Sequence, residues 1–100
     1  MSYTFIYGED YGHLNEFSGE ILDSNISIWT GRLGIPGTSS LEAVQLSLYL
    51  DGQLEQNTNI FRGKFIDFKI DVTNHKIYSW KYQISQGRCD YVYILRWSLK

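Results

Sequence analysis

A single cysteine, Cys89, stands in the 100 residues, so no disulfide can form within the chain. That usage points to a reducing compartment, and the expected localisation is cytoplasmic. Proline and methionine also occur once each, and histidine twice. A metal site needs several His, Cys or carboxylate ligands converging on one point. Glu9, Asp10 and His13 are neighbours in sequence, but acid-rich loops of this kind are usually solvated. No metal and no cofactor is expected. No apolar run approaches the ~20 residues that span a bilayer. The opening Met-Ser-Tyr-Thr-Phe-Ile-Tyr-Gly lacks the basic region and long apolar stretch of a signal peptide. No membrane association is expected, and the sequon Asn25-Ile26-Ser27 has little meaning without a secretory signal.

Catalytic motifs are missing too. Gly31, Gly34 and Gly37 lie near Thr38-Ser39-Ser40, but a phosphate loop also requires a lysine before the Ser/Thr at a helix start, and none is present. Cys89 follows Arg88, which could lower its pKa, yet no neighbouring histidine is placed to act as a base. Carboxylates are numerous, but nothing sets two of them across a cleft. No catalytic residue is assigned, and the expectation is a non-enzymatic protein.

What the chain does have is aromatic side chains, three Trp, eight Tyr and five Phe. They suffice for the core of one domain spanning residues 1–100, which should bury roughly two-thirds of its unfolded surface. Disorder is excluded on composition.

Alternation with a period of two dominates the second half. Ile66, Phe68, Ile70 and Val72 alternate with Asp67, Lys69, Asp71 and Thr73. Tyr78, Trp80, Tyr82 and Ile84 alternate with Ser79, Lys81, Gln83 and Ser85. Tyr91, Tyr93, Leu95, Trp97 and Leu99 share a third stripe. Read as consecutive antiparallel strands, these must pair so that apolar faces coincide, because a one-residue slip sends every side chain to the wrong face. A three-residue Thr73-Asn74-His75 loop, with His75 left-handed, sets Ile70 opposite Tyr78, Phe68 opposite Trp80 and Asp67 opposite Lys81. A loop centred on Gln86-Gly87 then sets Trp80 opposite Tyr93. Phe68, Trp80 and Tyr93 are thus expected as an aromatic row across three adjacent strands.

In the first half, Tyr3, Phe5 and Tyr7 suggest a short strand. Phe17 to Leu22 and Ile26 to Leu33 suggest a hairpin around Asp23-Ser24-Asn25. Gly31 to Ser40 reads as the longest connection. Leu41 to Leu50 carries a capping-box spacing, Ser39 and Glu42, but also strict alternation ending at the hairpin turn Asp51-Gly52; strand is preferred to one short helix. Gln53 to Asn59 reads as an edge strand or loop. The apolar parity changes between Phe65 and Ile66, which a bulge or burial of both faces would explain. The fold expected is mainly β, a single antiparallel sheet of about seven strands curled into a half-barrel, barrel or sandwich.

Charge is unevenly spread. Residues 1–60 hold eight acids and only Arg32 as a base, a net −7, whereas residues 61–100 hold eight bases and three acids, a net +5. Acidic loops bearing Glu9, Asp10, Tyr11, Glu16, Glu20 and Asp23 would suit a basic protein partner, with Tyr7, Tyr11 and Trp29 as aromatic anchors. Immunity proteins that neutralise a nuclease toxin, and phage-encoded inhibitors, share this size and charge. The function expected is therefore occlusion of a basic toxin or nuclease. The alternatives are an RNA- or DNA-binding module using the basic C-terminal strands, or a barrel holding a small apolar ligand.

Overall fold

In the computed structural model the stretch 41–50 is extended throughout: it forms β4 (Leu41–Leu50) and turns at Asp51-Gly52 into β5 (Gln53–Phe61). Asp51 and Gly52 both have positive φ, 49° and 82°, the left-handed pair of a type I′ hairpin. Val44, Leu46, Leu48 and Leu50 share the buried face, so burial by alternation decides against the capping-box reading. The structure describes residues 2–7, 14–38, 41–87 and 93–100, with side chains over 16–38, 42–83 and 95–100. Among them are six further strands and no helix: β1 (Ser2–Tyr7), β2 (Leu14–Glu20), β3 (Ile28–Gly34), β6 (Phe65–Asp71), β7 (Ile77–Gly87) and β8 (Tyr93–Leu99).

The eight strands make two sheets, ordered β1-β8-β3-β6 and β2-β7-β4-β5, and every pairing is antiparallel. Of the three closures open to the mainly β reading, the sandwich is the one observed. Only β4 and β5 are neighbours both in sequence and in space; every other connection crosses from one sheet to the other.

That crossing overturns the expected three-strand meander. Phe68 lies opposite Gly31 on β3. Trp80 lies between Phe17 on β2 and Leu48 on β4. Tyr93 pairs with Tyr7 at the far edge of the first sheet. The rings of Phe68 and Trp80 are buried as expected, but from opposite sheets; the side chain of Tyr93 is outside the described residues. Asp67 and Lys81 are likewise on different sheets. The Asp23-Ser24-Asn25 turn links β2 to β3 across the sandwich and closes no hairpin. At the β6–β7 turn, His75 N donates to Val72 O at 3.0 Å, and the left-handed residue is Asn74 (φ 67°), one position before His75.

Each strand turns alternate residues inward, and the two inner faces meet in one apolar core. Trp29 is fully buried, its indole edge-on to Phe68 (centroids 5.2 Å apart) and Tyr78 (5.1 Å). Trp80 and Trp97 meet edge-on at 5.7 Å, and Trp97 Nε1 donates to Tyr78 Oη at 3.3 Å across the sheets. Tilted and edge-on aromatic pairs add about 0.5–1.5 kcal/mol each beyond area burial. Gly31 makes room for this packing: a Cβ there would lie 2.3 Å from the Phe68 ring and 2.7 Å from Arg96 O. These rings pack with the surrounding aliphatic side chains in the described interior.

The hairpin tip is anchored as well. Asp51 N donates to Ile77 O at 2.8 Å. The Asp51 carboxylate accepts from Ile77 N (2.9 Å) and Lys76 N (3.1 Å) and contacts His75 Nδ1 (3.0 Å). The Ile77 amide, then the His75 hydrogen bond, hold this carboxyl below its usual range.

Candidate functional site

A sandwich of this kind offers two outer faces. On β2-β7-β4-β5 the register aligns Glu16, Lys81, Ser47 and Asn57 in one row. These side chains satisfy one another. Lys81 Nζ lies 3.6 Å from Glu16 Oε2 and 5.3 Å from the Tyr49 ring centroid. Gln45 Nε2 donates to Asn57 Oδ1 at 3.0 Å, and Asn57 Nδ2 donates to Ser47 Oγ at 3.2 Å.

The other outer face ends in a groove. Beyond β3 the chain runs through Ile35, Pro36 and Gly37, and beyond β5 it turns through Arg62-Gly63-Lys64. The two loops are stitched together: Ile35 N donates to Lys64 O at 3.0 Å, and Gly63 N donates to Ile35 O at 2.8 Å. Gly63 has φ 76°, which a glycine adopts without strain. Beside this junction lies a groove of about 360 Å³, walled by Arg32, Arg96, Lys64, Phe65 and Pro36. Gly34 sits opposite Phe65 on the neighbouring strand and, lacking a side chain, leaves the space open.

Phe65 presents a large apolar ring with 59% of its surface exposed. The inward parity does not change at Phe65 and Ile66, and neither a bulge nor burial of both faces is present: Ile60, Ile66 and Phe68 all turn inward, while Phe61 and Phe65 are both exposed on outer faces. The chain leaves one sheet at Phe61, turns at Gly63 and joins the other at Phe65, and Ile66 takes the inward position. The Arg32 guanidinium lies 4.3 Å from the Phe65 ring centroid, a contact worth about 0.5–1 kcal/mol at an exposed site.

Arg32 is oriented from its other side. Its Nε and Nη2 donate to the two carboxylate oxygens of Asp67 at 2.6 and 3.0 Å, a bidentate fork across the β3–β6 register pair. This hydrogen bond raises the Arg32 pKa and holds the Asp67 carboxyl below its usual range. Both side chains are 58% exposed, so the fork fixes geometry more than it adds stability. The guanidinium has five N–H donors; two go to Asp67, and three face away from it. Across β3 from Asp67, Arg96 stands directly opposite Arg32.

Of the residues expected to bind a basic partner, Trp29, Glu16, Glu20 and Asp23 have described side chains. Trp29 is completely buried and cannot act as a surface anchor, because it is the inward residue of a central strand. Glu16 and Glu20 are exposed on β2, with Glu16 tied to Lys81. Asp23 accepts from Asn25 N at 2.9 Å within its turn. Tyr7 ends β1, but its side chain, with Glu9, Asp10 and Tyr11, is outside the described residues. The described C-terminal bases form no single stripe: Lys69 and Arg96 lie on one outer face and Lys81 on the other. Arg32, Phe65 and Arg96 escaped notice as a group because they are brought together by β3 pairing with β6 and β8, from 31 to 64 positions apart in sequence. The available signal was Phe65 itself, an apolar residue on the polar parity of its strand.

No protein-family model and no curated protein matches this sequence. The fold does match solved structures. CBM51-2 with the INT domains of Clostridium perfringens ZmpB superposes with TM-score 0.63 at 18% identity, over 84% of this chain and 20% of that one. CBM51 of a Clostridium perfringens GH95 protein, in complex with methyl-galactose, gives TM-score 0.62 at 10% identity over 78% and 63%. The C-terminal domain of EclA, a sugar-binding protein, gives 0.60 at 14% identity over 100% and 79%. The chain thus spans about a fifth of the ZmpB chain it resembles. These likenesses are of fold, and two of these three neighbours are described with a sugar. They overturn the toxin- or nuclease-neutralising reading and its basic protein partner, and they do not support the nucleic-acid or apolar-ligand alternatives.

Proposed function

We propose that this chain is a non-catalytic glycan-binding module whose ligand sits in the groove between the 34–37 and 62–65 segments. The observation that carries the reading is the exposed Phe65 ring beside the Arg32 fork, at the mouth of an open groove on this fold. A pyranose has an apolar face of C–H groups and an edge of paired hydroxyls. The apolar face packs on an aromatic ring, which supplies buried area at little conformational cost. The hydroxyl pair matches a planar donor set held in place beforehand, and Asp67 holds Arg32 so that less entropy is lost on binding. Domains whose structures were solved with methyl-galactose or described as sugar-binding share this scaffold, which supports a saccharide as the ligand class.

The test is a glycan array followed by calorimetry on the best ligand, with Phe65→Ala beside the unaltered chain. Because Phe65 is outside the core, the variant should keep its fold by circular dichroism and lose at least tenfold in affinity. Binding to no glycan on a broad array would overturn the reading. Binding unchanged in Phe65→Ala would place the ligand elsewhere.

A further inference from the structure

Resting on that glycan reading, we infer that the saccharide is acidic, bearing a carboxylate or sulfate, and that Arg96 is the residue that receives it. Among the described residues the groove walls carry three cations, Arg32, Lys64 and Arg96, and no carboxylate. The adjoining surface adds one acid, Asp67, and both its oxygens are engaged by Arg32. Arg96 has no ion pair among the described residues. It faces Arg32 directly in the β3–β8 register, an arrangement of like charges that opposes pairing and that a bridging anion would relieve.

Chemistry favours the same ligand. Guanidinium forks bind carboxylates and sulfates through two parallel N–H···O bonds, shorter and stronger than those to neutral hydroxyls. Arg96 is exposed at the groove, while Arg32 is already aligned by Asp67. The division of labour follows: Phe65 and Arg32 hold the sugar ring, and Arg96, with Lys64 at the rim, takes the acidic substituent. The whole chain is net negative, −2, so the excess positive charge here is local.

The experiment measures affinities for lactose, 3′-sialyllactose and 3′-sulfolactose at two salt concentrations, with the unaltered chain, Arg96→Gln and Phe65→Ala. The expected result is at least tenfold tighter binding of one acidic sugar than of lactose, weakening with salt. Arg96→Gln should abolish that preference, bringing the acidic sugars down to the affinity of lactose, while Phe65→Ala weakens all three. The sialylated and sulfated arms distinguish carboxylate from sulfate. Equal affinity for lactose and both acidic sugars, still lost in Phe65→Ala, would overturn the acidic-ligand inference and leave the glycan reading standing. An acidic preference that survives Arg96→Gln would overturn the role of Arg96. Binding of none of the three, nor of any array glycan, would overturn the glycan reading and this inference together.

Discussion

The two outer faces of the sandwich are made by the same alternation of polar residues along antiparallel strands, yet they end in opposite states. On β2-β7-β4-β5, Lys81 is answered by Glu16 and Tyr49, and Gln45, Asn57 and Ser47 hydrogen-bond one to another. On β1-β8-β3-β6, Arg32 is answered by Asp67, whereas Arg96 has no ion pair among the described residues, and Phe65 is left exposed beside a groove. The difference lies in what opposes what. Register on one sheet puts Lys81 against Glu16 and Ser47, whereas on the other it puts Arg96 against Arg32. Each face carries one exposed ring, Phe65 on β6 and Phe61 on β5, so the difference among the described residues is the groove and the Arg32–Arg96 juxtaposition on one face against the hydrogen-bonded polar row on the other.

Filling the groove should give the largest effect on this contrast. Gly34→Leu places a branched side chain beside Phe65, where a Cβ lies 3.4 Å from the Phe65 Cβ. We expect about a hundredfold loss of saccharide affinity, about 2.8 kcal/mol at 1.4 kcal/mol per tenfold. Ser47→Leu on the opposite face should change affinity less than twofold; calorimetry on both variants makes the comparison.

Next comes the support beneath the site. Gly31→Ala forces a Cβ against the Phe68 ring and Arg96 O, an overpacked position costing about 1–3 kcal/mol, read from urea unfolding. Because Arg96 is on the strand that would be pushed, affinity should fall along with stability. A variant as stable as the original would show that Phe68 moves aside freely.

Arg32→Gln should cost about tenfold in affinity with little change in unfolding midpoint, since its ion pair is exposed. Lys81→Gln, which breaks the equivalent pair on the closed face, should leave affinity unaltered. Equal effects from the two would erase the distinction between the faces.

The smallest effect is electrostatic. Asp67 has a lowered folded pKa, so its contribution is fully present above the unfolded value of about 3.9 and is lost as pH falls through the folded one. Carboxyl titration by NMR should show Asp67 returning towards its ordinary pKa in Arg32→Gln. Asp51, held by Ile77, His75 and Lys76, should stay depressed in the same variant.

Which residues face inward was legible in the sequence, and which strands are neighbours was not. Phe68, Ile70, Val72, Tyr78, Trp80, Tyr82, Leu95, Trp97 and Leu99 are all buried as their alternation requires. Asp51-Gly52 announced its hairpin because a local turn needs local residues. Alternation, however, reports only whether a side chain points to the core. It is blind to which of two sheets supplies the strand, and here successive strands cross between sheets at every connection but β4–β5. Parity therefore sets Asp67 against Lys81 as readily as against its real partner, Arg32. Trp29 was misplaced for a related reason: a lone indole among Ile28, Thr30 and Arg32 gives little sign of depth until β3 is known to lie inside its sheet. The groove depends on the same long-range pairings, so only Phe65, apolar where its strand should be polar, marked it in advance.

Chemical-shift mapping of the amide spectrum during titration with 3′-sialyllactose tests the central assignment most directly. Perturbations should cluster at Arg32, Gly34, Gly37, Lys64, Phe65 and Arg96 and spare Gln45, Ser47, Asn57 and Lys81. Shifts centred on the second group, or a spectrum that does not move at millimolar sugar, would contradict it.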